Sequence, residues 1–270
     1  MAYLELKDVS FCYPNGYRAV ENISMSFEKG EKVAIIGQNG AGKTTTVKLM
    51  NGLLKPSNGE VLVDGESTAG KTTASIARKV GYVFQNPDDQ IFQDSIYKEI
   101  AFGLKKKKFI KEEMDRKVRE AAAMCGLESC LDEHPYNLSY SKRKFITIAA
   151  IVAMDPQVLI LDEPTAGQDK RSTELLGEIM NRLTEQNKTV ITITHDMEFV
   201  VKEFKRVIVM AEKRKRKDAS PREIFWNLEL LKLSNLKQPY ICRLANALGY
   251  ENIMTIQEMI EVDKNEKYSN

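Results

Sequence analysis

Four consecutive apolar residues, Val33-Ala34-Ile35-Ile36, run directly into Gly37-Gln38-Asn39-Gly40-Ala41-Gly42-Lys43-Thr44. An apolar run of this kind fits a strand covered on both faces. The eight residues after it satisfy the phosphate-loop spacing Gly-x-x-x-x-Gly-Lys-[Ser/Thr]. From Thr44 to Leu54 the apolar residues Val47, Met50, Leu53 and Leu54 fall at helical spacing, until Lys55-Pro56-Ser57-Asn58-Gly59 breaks the pattern. Strand, glycine-rich turn and helix in that order bring successive N–H groups and a helix N-terminus to bear on a phosphate chain. The expected cradle is Gly37, Asn39, Gly40, Ala41, Gly42, Lys43, Thr44 and Thr45, with Lys43 reaching the β- and γ-phosphates and the Thr44 hydroxyl available to Mg²⁺. A second match to the spacing, Gly65 to Thr72, follows a half-polar strand ending in Asp64 and leaves only a short segment before Gly81. It reads as a solvated loop.

The rest of the chain agrees with a mostly parallel α/β sheet. Val158-Leu159-Ile160-Leu161, Val190-Ile191-Thr192-Ile193 and Arg206 to Met210 are further buried strands, alternating with helical segments such as 170–185. Alternation over Tyr3 to Val9 and at Ile23, Met25 and Phe27 predicts antiparallel strands. Residues 94–154 and the tail from Pro221 carry helical periodicity, and Lys213 to Lys217 reads as a solvated charge run. The strand at 158–161 delivers Asp162 and Glu163 to its C-terminal end, where open α/β sheets place ligands. There Asp162 would hold the hydration shell of Mg²⁺, and Glu163 would act on the attacking water as general base.

Lys+Arg 40 against Asp+Glu 38 leaves a net charge of +2, which argues against a dedicated nucleic-acid binder. The stretch from Phe145 to Met154 is too short to span a bilayer, and Met1 to Glu5 does not open a secretory signal. Cys12, Cys125, Cys130 and Cys242 have no metal-ligand spacing. A soluble, cytoplasmic protein is expected.

Further motifs carry a family resemblance: Val83-Phe84-Gln85-Asn86-Pro87-Asp88-Asp89-Gln90, Thr165-Ala166-Gly167-Gln168-Asp169, Thr194-His195-Asp196 and Phe11-Cys12-Tyr13-Pro14. With the two nucleotide motifs they make the chain similar, over about residues 4–239, to the ATP-binding subunits of ABC transporters. The stretches 84–92 and 221–248 make it resemble, within them, the energy-coupling factor (ECF) or cobalt-type importer ATPases. The resemblance implies an α/β P-loop ATPase core with an antiparallel β-subdomain, a helical subdomain at about 87–153 and a C-terminal helical extension. Residues 1–240 would be the nucleotide-binding domain and 241–270 the extension. It further implies Glu163, His195 and Gln85 as catalytic, Thr44, Gln85 and Asp162 as holding Mg²⁺, Tyr13 as stacking on adenine, and Ser139 as touching a γ-phosphate. The implied partners are ATP and ADP, a second ATPase subunit, a transmembrane energy-coupling protein and a substrate-binding membrane component, with no nucleic acid. The place implied is peripheral, on the cytoplasmic face of the cell membrane, and the cargo a vitamin or transition-metal ion.

Three departures stand out. Leu138-Ser139-Tyr140-Ser141-Lys142 replaces the family's Leu-Ser-Gly-Gly-Gln signature, so both glycines that permit close backbone approach are gone. Gln168 replaces the leucine common at its position, and the segment after Met210 lacks the family's usual glycine-containing turn. The subunit's own ATP-binding half is intact, whereas the half it lends to a partner is altered. A heterodimer with a paralogue of intact signature follows more readily than a homodimer. An ATP-binding subunit that hardly hydrolyses stays open, with Tyr140 for it and Glu163 and His195 against. So does an ABC-type ATPase of DNA or ribosomes, although those usually carry a second cassette, a coiled coil or a basic arm.

Overall fold

Five strands in which nearly every residue is buried fill the middle of the molecule. The computed structural model describes residues 2–107 and 109–268, the side chains of 106, 107 and 265–268 excepted. In chain order the strands are β1 (Leu4–Cys12), β2 (Arg18–Phe27), β3 (Lys32–Ile36), β4 (Asn58–Val63), β5 (Glu66–Ser67), β6 (Val80–Val83), β7 (Val158–Asp162), β8 (Thr189–Ile193), β9 (Arg206–Ala211) and β10 (Arg214–Ala219). The helices are α1 (Lys43–Met50), α2 (Thr73–Ala77), α3 (Ile96–Phe102), α4 (Lys111–Met124), α5 (Tyr140–Ala153), α6 (Lys170–Glu185), α7 (Met197–Glu203), α8 (Pro221–Phe225), α9 (Leu228–Leu233), α10 (Tyr240–Ala247) and α11 (Ile256–Tyr268).

The large sheet has the order β10-β9-β3-β8-β7-β6, parallel throughout except for β10. Its strands read as continuous apolar runs because both faces are covered, yet the period of two persists underneath. Ala34, Ile36, Leu159, Leu161, Val207 and Val209 face one core, with residues of α3 to α8. Val33, Ile35, Val158, Ile160, Ile191, Ile193, Ile208 and Met210 face the other, against α1 and the antiparallel sheet β2-β1-β4-β5. Each of these Val, Leu, Ile and Met side chains stabilises the fold by roughly 1.5–3 kcal/mol on burial. The sheet is therefore a rigid floor, and the loops at its C-terminal edge inherit fixed positions.

Helix boundaries follow from local chemistry. On α6, Leu176, Ile179, Met180 and Leu183 are buried at i, i+3, i+4 and i+7, and Asp169 caps it by accepting from Ser172 N–H at 2.7 Å. The helix after the phosphate loop stops at Met50 rather than Leu54, since Gly52 turns left-handed at φ 76°. The run Lys213 to Lys217 is not merely a solvated face: most of it forms β10, the antiparallel edge strand. Its hairpin turn holds both Glu212 (φ 48°) and Lys213 (φ 66°) in the left-handed region without a glycine. Around the second phosphate-loop match the sequence makes only the two-residue β5 and the five-residue α2, and Lys71 pairs with Glu66 at 2.5 Å.

Candidate active site

The turn between β3 and α1 has two glycines, Gly37 and Gly42, that leave no room for a side chain. A Cβ on Gly37 (φ 154°) would lie 2.1 Å from the Met210 carbonyl oxygen, and one on Gly42 (φ 97°) 2.5 Å from that of Ala19. Gly42 is also the left-handed cap from which α1 starts. The loop thus wraps tightly, with Lys43 at its end almost buried and its Nζ donating to the carbonyls of Gly37 (2.7 Å) and Gln38 (3.0 Å). Burial pulls the Lys43 ammonium below its usual pKa, against the opposing pull of Glu163 and Asp162.

Beside this loop lies a cleft of about 470 Å³ lined by Asn39, Gly40, Gly42, Lys43, Thr44, Thr45, Gln85, Glu163 and His195, together with Tyr17, Ala19 and Ala166. Chain segments far apart in sequence meet there because β3, β7 and β8 are neighbours whose C-terminal ends open on the same side. Glu163 follows β7 directly. Its Oε2 accepts the His195 backbone N–H at 3.2 Å, and its Oε1 lies 3.1 Å from His195 Nε2. Burial pushes the Glu163 carboxyl up to about 7, only partly offset by the His195 N–H and by Lys43. The His195 imidazole is held below its ordinary pKa, first by burial and then by Lys43.

Asp162 points the other way, into an adjoining groove of about 520 Å³ that shares Thr44 and Gln85 with the cleft and adds Tyr82 and Phe84. The Tyr82 hydroxyl donates to Asp162 Oδ2 at 2.7 Å, while Asp162 Oδ1 is buried without a hydrogen-bond partner. Gln90 braces the turn carrying Gln85: it accepts from Phe84 N–H at 3.1 Å and donates to the Tyr82 carbonyl at 3.3 Å.

Of the residues expected at the site, Gly37 and Ala41 shape the loop from behind, and Asp162 sits in the groove. Tyr13 is not on the cleft wall. Its ring packs edge-on against Phe11 at 4.9 Å, its hydroxyl lies 3.2 Å from Thr45 Oγ1, and the aromatic wall of the cleft is Tyr17. Tyr17 is 47% exposed and carries the Lys213 ammonium 4.4 Å from its ring centroid. Ser139 is also away from the cleft, as the N-cap of α5 accepting from Lys142 N–H. Sequence reasoning missed Tyr17, Tyr82 and Lys144, whose Nζ donates to the Glu163 carbonyl at 2.7 Å. Burial draws the Lys144 ammonium down to about 8. Among the described residues no helix is long and apolar enough to cross a membrane.

The ABC transporter family profile matches residues 20–166. The chain is 38% identical to the energy-coupling factor transporter ATP-binding protein EcfA of Methanococcus maripaludis, over 95% of this chain and 93% of that protein. It is 40% identical to a putative ABC transporter ATP-binding protein of Pyrococcus abyssi, covering 96% and 98% respectively. Among solved structures it resembles cbiO1 from Clostridium perfringens, described as part of the ABC transporter complex cbiONQ, with a TM-score of 0.78, 33% identity and coverage of 91% and 99%. It also resembles a dimeric ATP-binding cassette in a post-hydrolysis state bound to ADP and Pi, with a TM-score of 0.75, 26% identity and coverage of 81% and 98%.

Proposed function

Because the chain belongs to the ABC transporter ATP-binding family, in its energy-coupling factor branch, we propose that it energises an importer of a vitamin or transition-metal ion by closing on a second ATPase subunit around Mg-ATP. The observation that carries this reading is the meeting of Lys43, Glu163 and His195 in one cleft at the C-terminal edge of a parallel sheet. Loop N–H groups and Lys43 bind the phosphates. Glu163, held by His195, takes the proton from the attacking water. His195 keeps the carboxylate in place through its backbone N–H and its Nε2, and its ring borders the cleft that would hold the γ-phosphate.

The residues fit a magnesium ion. Asp162, whose buried Oδ1 has no hydrogen-bond partner, lines one groove with Thr44 and Gln85, and hard oxygen donors of these kinds, with phosphate and water, are what Mg²⁺ takes. Thr44, Gln85 and Asp162 would hold the ion, which would supply charge neutralisation at the phosphates. We place the nucleotide-binding domain at 1–240, its helical subdomain at about 87–153, and the extension at 241–270. The importer would set this subunit against the cytoplasmic face of the membrane, with an energy-coupling protein seated by the groove beside Gln85 and a separate membrane component choosing the cargo. Purifying the chain from its own membranes tests this: an accompanying membrane protein is expected, and ribosomes or DNA in its place would overturn it.

The geometry also bears on binding. Lys43→Ala should weaken ATP binding by about 1.5–3 kcal/mol, the scale of a hydrogen bond to a charged group. Lys71→Ala should leave affinity unchanged, because Lys71 is paired with Glu66 in a surface turn. Titration of each variant with a fluorescent ATP analogue checks both, and equal losses would put the phosphate elsewhere. Base stacking on an aromatic ring is worth about 1–3 kcal/mol. If Tyr17 stacks on the adenine, Tyr17→Ala should lose that amount for ATP and much less for inorganic triphosphate. Tyr13→Ala should then act only indirectly, through Thr45. The reverse ranking would return the stacking role to Tyr13.

A further inference from the structure

Lys144 is the most deeply buried lysine side chain described, at 1% exposed. It lies in the second turn of α5, and the hydrogen bonds of its Nζ run to two backbone carbonyls, those of Glu163 (2.7 Å) and Ala166 (3.4 Å). The Tyr140 ring centroid is 5.8 Å away. An ammonium taken out of water is costly even when it is hydrogen-bonded. An apolar chain of similar length would serve packing alone better, so the charge points to a role beyond packing.

The turn it grips is strained. Glu163 has φ 49°, a left-handed conformation that a non-glycine residue holds only where its surroundings over-determine it. Two anchors do so. The Glu163 N–H donates to the Ile193 carbonyl at 2.9 Å, and the Glu163 carbonyl accepts from Lys144. The direction of the carboxylate is therefore set by β8 on one side and by α5 on the other.

The rest of the first turns of α5 holds the same segment. An ideal Cβ on Gly167 would be 3.3 Å from the Tyr140 ring, and Ser141 Oγ donates to Gln168 Oε1 at 2.5 Å. The altered signature residues and the altered Gln168 are thus one contact rather than two unrelated departures.

We propose that Lys144 is a positioning residue for ATP hydrolysis, fixing the backbone of the Glu163 turn so that the placement of the α5 N-terminus is transmitted to the carboxylate in this subunit's own cleft. This rests on the reading of Glu163 as general base. α5 begins beside Ser139, whose proposed ligand is nucleotide held by the second subunit. Lys144 then links occupancy of that site to base alignment in this one.

The test uses the transporter complex purified through a tag on this chain, with Lys144→Met, Lys144→Arg and both Glu163→Gln and the Glu163→Gln/Lys144→Met double variant. A misplacement of the order of 1 Å costs up to about a hundredfold. Lys144→Met should lower kcat by roughly thirty- to a hundredfold with KM for ATP within about threefold, a loss of transition-state rather than ground-state interaction. Lys144→Arg, which keeps donors for the two carbonyls, should recover at least about tenfold of that loss. In single-turnover assays Lys144→Met should add less than about twofold to Glu163→Gln, since both act through one carboxylate. The proposal falls if Lys144→Met keeps full kcat, if kcat and ATP affinity drop together, or if its cost is the same with and without Glu163. Should Lys144→Met not accumulate as folded protein, Lys144→Gln is judged by the same criteria. Full turnover by Glu163→Gln alone would remove the general-base reading instead, and is measured first.

Discussion

Replacing Glu163 with glutamine should leave ATP affinity nearly unchanged and lower turnover by about two orders of magnitude or more, the usual scale for removing a general base. Glutamine keeps the length of the side chain and an oxygen to accept the His195 N–H, so the cleft should keep its shape. What disappears is the basic site. Its surroundings tune the carboxyl proposed as that base. Burial lifts the carboxyl to about 7, where it is a stronger base than an exposed glutamate yet still substantially ionised at neutral pH. The sign of the pH dependence follows. Below about 7 the group is protonated and cannot accept, so kcat/KM for ATP should rise with pH through that region and then level off. In Glu163→Gln the rising limb should be absent from the residual activity. Full turnover in the variant, or an unchanged limb, would move the base to another residue.

How far the site can be read from sequence depends on what kind of signal each part carries. β3, β7, β8 and β9 are legible because a strand covered on both faces is apolar over most of its length, the buried Thr189 and Thr192 of β8 being exceptions. β10 is not, because a solvent-facing edge strand tolerates a run of Arg and Lys, and its turn lacks the glycine that usually betrays a hairpin. The phosphate loop and the Asp162-Glu163 pair are legible because their chemistry demands particular residue types at particular spacings. The aromatic wall is not, since Tyr13 and Tyr17 are joined by a tight turn, with Tyr13 N–H donating to the Tyr17 carbonyl at 2.9 Å. Two tyrosines four residues apart on one turn are equivalent in sequence, and only packing against Phe11 and Thr45 tells which faces the cleft. Lys144 is hidden for a related reason. Helical periodicity groups Tyr140, Lys144 and Thr147 on a face of α5, but nothing local says that the face meets the turn after β7.

That face also bears on the second large effect expected, an inequality between the two ATP sites of the proposed pair. Donors at a signature loop resemble an oxyanion hole, aimed at charge on the γ-phosphate, and losing one costs about 3–4 kcal/mol of transition-state stabilisation. Here the loop brings Ser139 as the cap of α5, but Tyr140 lies against Gly167 and the Ser141 hydroxyl is taken up by Gln168 and Ser172. Both residues add a Cβ where the family's glycines let backbone and phosphate approach. The site formed by this subunit's Lys43 and Glu163 with the second subunit's signature should therefore carry most of the turnover. The site formed by the other phosphate loop with Ser139 should bind ATP and hydrolyse it slowly. Neutralising the catalytic glutamate of each subunit in turn measures the inequality: Glu163→Gln should abolish nearly all activity, and the partner's equivalent change should cost little. Tyr140→Gly with Ser141→Gly should then raise turnover at the slow site, unless freeing Gly167 and Gln168 loosens the Glu163 turn as well. Assaying the double glycine variant with Glu163→Gln isolates the slow site from that second effect. Equal losses from the two glutamate changes, with no gain from the glycines, would mean that Ser139 and the remaining N–H groups suffice with the tyrosine ring folded aside.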